Sequence, residues 1–589
     1  MLTALLVLIA ASRSLRWPDL LMNPDEVWSV WQSVGSPLEI ISRTPYDWPP
    51  GYFLLMGFWQ ALIGTEPLLM RVPGLTAQLI GCAIMYRVGR RLTDHSGGLL
   101  GGLAFAALGL VIQISLDVRG YALLLVFYPL AFWFTLRYFD RPGWRRAVAL
   151  GVMLAACFYT SVTASVMLLG LGLYTLFTRP RQLWRWIVPG GLALLLALPD
   201  LWNKFGVAGN RLNASLEIKL PPLPEAWLTL WWVYLGNAWP ILLLLLALAA
   251  LGALRARSYQ RGVGLSLLLV IGLVPLVLYV GNPVIAFFNG RYSSAMLMLI
   301  ALGLGVGLAA HPRWVRLATG LILTALLVVP LPQTGEYQVF GVNSPLQTNL
   351  EWLKTQLVPG DAVVLDPVNE CGKAEEWDYH LRRSFPTGLT FVSDPSGYRR
   401  VWYIARGTGQ TAELLEAVQT ARLAGRFVGP PGCLFRVYEA PPDSAGILFE
   451  NGMRFHGIDI LEGDIPWSAP VVRREGESIR VRLWWSADRP IDRDYSVGLY
   501  ILRGENMVVQ LDAPPQLTNP PGSFAETSRW QVGQLYSEER TLALPLPTAR
   551  GTYGLNLAIY FWADGQRVNA PGLDDNRLLF LRPFQVMAY

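Results

Sequence analysis

Charged side chains are scarce in this sequence. They make up 15% of 589 residues, where an ordinary soluble domain carries about 25%. That shortage excludes a wholly soluble globular chain. Cysteine and histidine are scarcer still, with four of each. His95, His311, His380 and His456 stand at no ligand spacing to one another or to a cysteine, so no required metal is expected. A glycine-rich phosphate loop following a strand is also missing, which removes the usual signal of a nucleotide-sugar site.

What is abundant is apolar length. Runs long enough to cross a bilayer, roughly 17 to 25 residues, lie near 67–87, 97–115, 119–138, 145–160, 162–178, 184–202, 236–254, 263–281, 292–310 and 314–332. The opening run MLTALLVLIAAS has neither a basic start nor a small-residue cleavage pattern, and reads as a first span. About eleven spans are expected. A shorter run at 49–64 begins with two prolines and reads as a helix lying in the interface, with a twelfth span as the alternative.

The excess of cations is unevenly placed. Residues 1–333 hold 24 of the 48 basic and 12 of the 42 acidic side chains, leaving 24 and 30 for residues 334–589. The basic surplus lies between apolar runs, as a topology signal does, so nucleic acid is not an expected partner. Loops on one side carry Arg87, Arg90, Arg91, Arg137, Arg141, Arg145, Arg146, Arg179, Arg181, Arg185, Arg255, Arg257, Arg261, Arg313 and Arg316, against Asp94 and Asp140. The positive-inside rule makes that side cytoplasmic. A cell-membrane protein is expected, with its N-terminus cytoplasmic and its tail outside.

The first outer loop contains Asn23-Pro24-Asp25-Glu26 and then Asp47-Trp48-Pro49-Pro50. Two readings of the acidic pair compete. Acids in a first helical turn cap a solvated helix; alternatively, one carboxylate takes a proton from an acceptor hydroxyl while its neighbour orients it. Arg71, Arg119 and Arg291 lie near the outer ends of their spans. Each alone reads as snorkelling toward headgroups. Together with the acids they suit an anionic, lipid-linked substrate, because a guanidinium grips phosphate with two parallel hydrogen bonds.

The order Asn-Pro-Asp25-Glu26, Asp47-Trp-Pro-Pro50, Glu66-Pro-Leu-Leu-Met-Arg71-Val-Pro, Arg119-Gly-Tyr121 and Asn289-Gly-Arg291-Tyr292 resembles glycosyltransferase family 39. This is the group of protein O-mannosyltransferases and aminoarabinose lipid A transferases with the GT-C fold. The resemblance covers about residues 1–333, and more loosely the tail to about 440. It implies transfer of a sugar from a polyprenyl-phosphate donor to an acceptor hydroxyl on the outer face, with inversion. Asp25 matches the family's catalytic acidic residue, which would take the acceptor's proton, and Glu26 its frequent acidic companion. Arg119, Arg291 and, third, Arg71 become candidates for the donor phosphate, with Asp47, Tyr121 and Tyr292 as further site candidates. One departure is that Asp47-Trp48 precede the Pro-Pro element where relatives often have Lys or His. No cofactor is implied beyond the lipid-linked donor.

Past Pro332 the composition changes. Asn349 to Leu357 has helical spacing, while Asp361–Leu365 and Val401–Ala405 read as buried strands, so residues 334–440 are expected to form an extracytoplasmic α/β domain. Cys371 and Cys433 are the only cysteines there; a disulfide between them competes with two buried thiols. From 445 to 589, alternation in Ser478–Trp485, Tyr495–Tyr500 and Gly551–Tyr560 predicts a β-sandwich. Trp484, Trp485, Trp530 and Trp562 are open to two readings, sugar stacking or core packing. Competing with the enzyme is a transporter or lipid flippase carrying an exported sandwich, although no internal repeat is visible.

Overall fold

A computed structural model describes residues 2–14, 22–44, 48–205, 220–285, 288–328, 352–366, 379, 390–406, 411–428, 433–467 and 469–587. The chain divides into two compact units, Met1–Ser344 and Pro345–Tyr589. The first is helical and apolar, the second rich in strands.

In the helical unit, α1 (Leu2–Ser14), α2 (Pro24–Gln32), α3 (Pro37–Arg43) and α4 (Gly51–Ile63) precede the longer α5 (Pro67–Leu92). After α5 come α6 (His95–Ala107), α7 (Gly109–Leu116), α8 (Gly120–Asp140) and α9 (Trp144–Thr160). Among the described residues, four helices are long and apolar enough to cross a membrane: Pro67–Leu92, Gly120–Asp140, Leu223–Arg255 and Ser258–Pro283. Counting α6 with α7 as one bent span makes five, fewer than the eleven expected crossings. Others form as shorter helices, such as the 17 residues of α9 and the 15 of Ala295–Ala309. The 13 residues of α4 rise about 20 Å, short of a hydrocarbon core of about 30 Å.

Two differences from the sequence reading meet at one contact. The run at 97–115 is not one straight span: its two helices are bent by 64° at Leu108, whose backbone is extended. The break lets Gly109 meet Gly236 backbone to backbone, where a Cβ would lie 2.6 Å from the Gly236 Cα. The run expected at 236–254 begins earlier, with the tryptophan-rich helix Leu223–Leu235. Its end and the Gly236 turn, at φ 68°, form the other side of that contact.

The centre of this unit is the helix Ala295–Ala309, buried from Ala295 to Leu308. A helix that is apolar all round belongs inside a bundle. Small residues let neighbours approach it closely: a Cβ on Gly307 would lie 2.2 Å from the Ala249 carbonyl oxygen.

In the second unit, strands Ala362–Leu365, Thr390–Phe391 and Arg400–Arg406 pair in parallel, and Cys433–Glu439 and Leu423–Val428 extend the sheet antiparallel. The helix Ala412–Gln419 follows the third strand, giving an α/β pattern. Two further sheets follow. One runs in the order Leu517–Asn519, Tyr536–Ala543, Ser478–Ala487, Met453–Glu462, Ile447–Leu448. The other runs Asn506–Ala513, Tyr495–Arg503, Gly551–Phe561, Leu579–Met587, Val472–Arg474. Alternate residues of both, including Val481, Leu483, Trp485, Leu499, Ile501, Leu555 and Leu557, share one core, which makes the pair a sandwich. Trp484, Trp485 and Trp530 are buried, so the packing reading holds for them; Trp562 is 67% exposed. Cys371 lies outside the described residues, as does the side chain of Cys433.

Candidate active site

The Asn-Pro-Asp-Glu segment starts a helix for reasons visible in its residues. Asn23 is the N-cap, its side chain accepting from the Glu26 N–H at 2.9 Å, and the Glu26 carboxylate accepts from the Asn23 N–H at 2.8 Å. This reciprocal capping box, with Pro24 in the first turn, fixes the backbone. The two competing readings of the acidic pair therefore divide between its members. Glu26 completes the capping box and is 2% exposed, whereas the Asp25 side chain is 54% exposed.

Glu26 does more than cap. It pairs with Arg71 at 3.0 Å and accepts from the Val118 N–H at 2.9 Å. Arg71 in turn donates from Nε to the Leu116 carbonyl at 2.7 Å. One buried ion pair thus ties together the start of α2, the start of α5 and the loop between α7 and α8. Burial pushes the Glu26 carboxyl up to about 7, with the Arg71 guanidinium pulling the other way.

On the open side, Asp25 Oδ2 faces Arg291 Nη1 at 3.5 Å and Arg119 Nη2 at 3.7 Å. Arg119 also donates to the Asp25 carbonyl at 3.1 Å and to the Ser29 hydroxyl at 3.4 Å. Its guanidinium lies over the Trp48 ring at 4.7 Å and the Trp28 ring at 5.8 Å, a stacking arrangement suited to its flat, delocalised charge. Tyr121 meets Trp48 edge to face at 5.7 Å and lies 6.3 Å from Tyr292. Asp25, Trp48, Arg119, Tyr121, Arg291 and Tyr292 line a cavity of about 400 Å³ together with Leu110, Gln113, Trp232, Val233, Gly236, Asn289 and Gly290.

The structure therefore brings Asp25, Arg119, Tyr121, Arg291 and Tyr292 to one cavity. Glu26 and Arg71 stand behind it, which departs from the expected phosphate contact by Arg71: its guanidinium is buried and held by Glu26 and Leu116. Asp47 lies outside the described residues. Gln113 and Trp232 were not anticipated. A single amide in the apolar stretch Gly109–Ile114 is a signal that points to Gln113; Trp232, one of several tryptophans in its helix, gives none. Among the described residues, no three His, Cys, Asp or Glu side chains gather as metal ligands do.

The fold and cavity define a class: a polytopic helical unit that holds an acid between two arginines, followed by strand-rich domains. Comparison with known proteins adds a likeness over part of the helical unit. The sequence profile described as dolichyl-phosphate-mannose-protein mannosyltransferase matches residues 47–202. The resemblance to glycosyltransferase family 39 is borne out over that segment. No curated protein matches the sequence. Among solved structures, ArnT from Cupriavidus metallidurans bound to undecaprenyl phosphate is 13% identical, with a TM-score of 0.37, covering 74% of this chain and 97% of that one. ArnT from Cupriavidus metallidurans in the apo state gives the same identity and score, with 98% of its chain covered.

Proposed function

We propose that this chain is a membrane glycosyltransferase, moving a sugar from a polyprenyl-phosphate-linked donor to an acceptor hydroxyl on the extracytoplasmic face by a single inverting displacement. The observation that carries the reading is Asp25 facing Arg119 and Arg291 across an aromatic-walled cavity. The family-profile match over residues 47–202 supports it, and the one-sided arginines of the inter-helix loops support the sidedness, with the N-terminus cytoplasmic.

In this mechanism the donor phosphate enters between the two arginines and replaces Asp25 as their partner. That exchange frees the carboxylate to take the acceptor's proton. The acceptor oxygen forms a bond to the anomeric carbon as the bond from that carbon to the phosphate oxygen breaks. Arg119 and Arg291 hold the charge that develops on the departing phosphate, and preorganised charge of this kind is usually the largest catalytic contribution. Trp48, Tyr121 and Tyr292 offer flat faces for the sugar ring. Glu26 and Arg71 act as positioning residues, holding Asp25 and Arg119 in register. The reaction as proposed uses no resident metal, so EDTA treatment leaves the rate unchanged.

The test is transfer from a purified labelled lipid-linked sugar by the full chain. Asp25→Asn is expected to lower the rate by roughly a hundredfold to ten-thousandfold, the range of general-base catalysis, while the protein remains folded. Full activity of that variant refutes the mechanism. Label crossing a sealed vesicle without a new glycosidic product refutes the enzyme and favours a transporter.

A further inference from the structure

At the far end of α8 lies a second cluster of charge. The helix opens beside Arg119 and runs 21 residues to Asp140, a rise of about 30 Å, so this end is remote from the cavity. Asp140 is held by Arg91 and Arg179 and is the sole acidic residue between Asp117 and Asp200. Arg141, Arg145 and Arg146 follow it within six residues, Arg146 donating to the Arg141 carbonyl, and Arg181 and Arg185 lie on the 3-10 segment Pro180–Trp186 that follows Arg179.

That segment is fixed in place. Arg185 Nη1 donates to the Phe139 carbonyl at 3.2 Å and to Gln182 Oε1 at 2.9 Å. The Tyr138 hydroxyl donates to the Arg185 carbonyl at 3.2 Å, and the Phe139 and Trp186 rings lie 5.5 Å apart. Two donors remain: Arg185 Nε and the Trp186 indole N–H are buried with no acceptor among the described residues. No described carboxylate pairs with Arg141, Arg145 or Arg181, all exposed. Trp144 and Trp184 project outward, 72% and 65% exposed, with Arg145 and Arg185 over their rings at 5.5 and 5.7 Å.

We propose that this end of the helical unit is a binding site for the headgroup of an anionic glycerophospholipid. Charge complementarity names the occupant: a cluster of arginines whose one local acid is already neutralised lacks a counter-anion. A phosphodiester oxygen supplies the acceptor that Arg185 Nε and Trp186 Nε1 lack, and bidentate contact from Arg145 and Arg181 completes the grip. The projecting indoles place the site at the boundary of headgroup and acyl chain, where tryptophan concentrates. Basic pockets between helices recognise anionic lipids in this way.

The test is native mass spectrometry of the delipidated full chain, titrated separately with phosphatidylglycerol, with phosphatidylcholine of the same acyl chains and with inorganic phosphate. One phosphatidylglycerol molecule is expected to be retained at least tenfold more tightly than phosphatidylcholine. The double variant Arg145→Ala/Arg181→Ala removes two exposed side chains that hold no other segment, and near-ultraviolet circular dichroism checks its fold. It should weaken phosphatidylglycerol binding by roughly 25-fold, about fivefold per arginine, and leave phosphatidylcholine unaffected. Arg185→Lys, which keeps the charge and loses the fork, should give a smaller loss. Equal retention of the two lipids, no change in the double variant, or displacement of phosphatidylglycerol by millimolar phosphate each overturns the proposal.

Discussion

Arg71→Met offers the sharpest test of the site's construction. The Glu26–Arg71 pair is nearly dry, its side chains 3% and 2% exposed. Removing only the arginine leaves a carboxylate in a site without its counter-charge, a change that typically costs 3–5 kcal/mol. Removing both charges in Glu26→Gln/Arg71→Met should cost less, about 1–2 kcal/mol. The glutamine oxygen still accepts from the Val118 or Asn23 N–H, and roughly one hydrogen bond is lost. The pH dependence has a definite sign. Burial already raises the Glu26 pKa from 4.5 to about 7, and losing Arg71 raises it further. A carboxyl whose folded pKa lies above its unfolded value favours the folded state when protonated, and stability falls as pH rises from the unfolded value toward the folded one. The Arg71→Met penalty should therefore grow between pH 6 and pH 8, by up to about 1.4 kcal/mol for each unit of added shift. Denaturation in mixed micelles followed by tryptophan fluorescence at both pH values measures it. A double variant as unstable as the single one, or a penalty that is flat or smaller at pH 8, would refute this account of the buried pair.

The sandwich gives a contrast of position: Trp485→Ala empties a buried site and breaks its bond to Glu538 at 2.9 Å, and should cost about 3–5 kcal/mol. Trp562→Ala should change stability by under about 0.5 kcal/mol, as read by chemical denaturation of the two variants. Glu439 predicts acid sensitivity. Burial pushes its carboxyl up, but Arg482 and Arg400 more than offset this and leave it below its usual 4.5. Its contribution is therefore present at neutral pH and lost as pH falls below about 4.5, and Glu439→Gln should flatten that acid loss in a circular-dichroism titration. In the helical unit a Cβ on Gly81 would lie 2.2 Å from the Leu125 carbonyl oxygen, so Gly81→Val should force α5 and α8 apart at a cost of about 1–3 kcal/mol. Size-exclusion chromatography of the solubilised protein would show it as loss of the monodisperse peak.

Much of the site was legible because motif order survives in a single sequence. Arg119 and Arg291 stand at span starts, Asp25, Tyr121 and Tyr292 stand with them in the motif order that resembles the family, and the structure gathers all five. Depth was not legible. Arg71 sits near the start of α5, much as Arg119 and Arg291 sit near the starts of their helices, and nothing in its neighbours says that its side chain turns inward to Glu26. The bend at Leu108 was hidden for a related reason: what requires it is Gly236, over a hundred residues away. The strands of the second unit were easier, since alternation is local and each of the five strand segments anticipated there forms. The tryptophans show the limit: alternation places Trp485 in the core, but it says nothing of Trp530, which follows a 3-10 turn, and would leave Trp484 on the opposite face, where it is buried all the same.

Asp25 and Glu26 are neighbours with opposite tolerances. The acid proposed to react stands in the open and supports little of the fold, while the acid beside it joins three segments behind the cavity. Substituting the first should yield plentiful, well-behaved, silent protein, and substituting the second should yield little protein at all. A survey of variants scored by cellular abundance would rank the pair in reverse order of their chemistry, and would direct attention one residue away from the bond that is made.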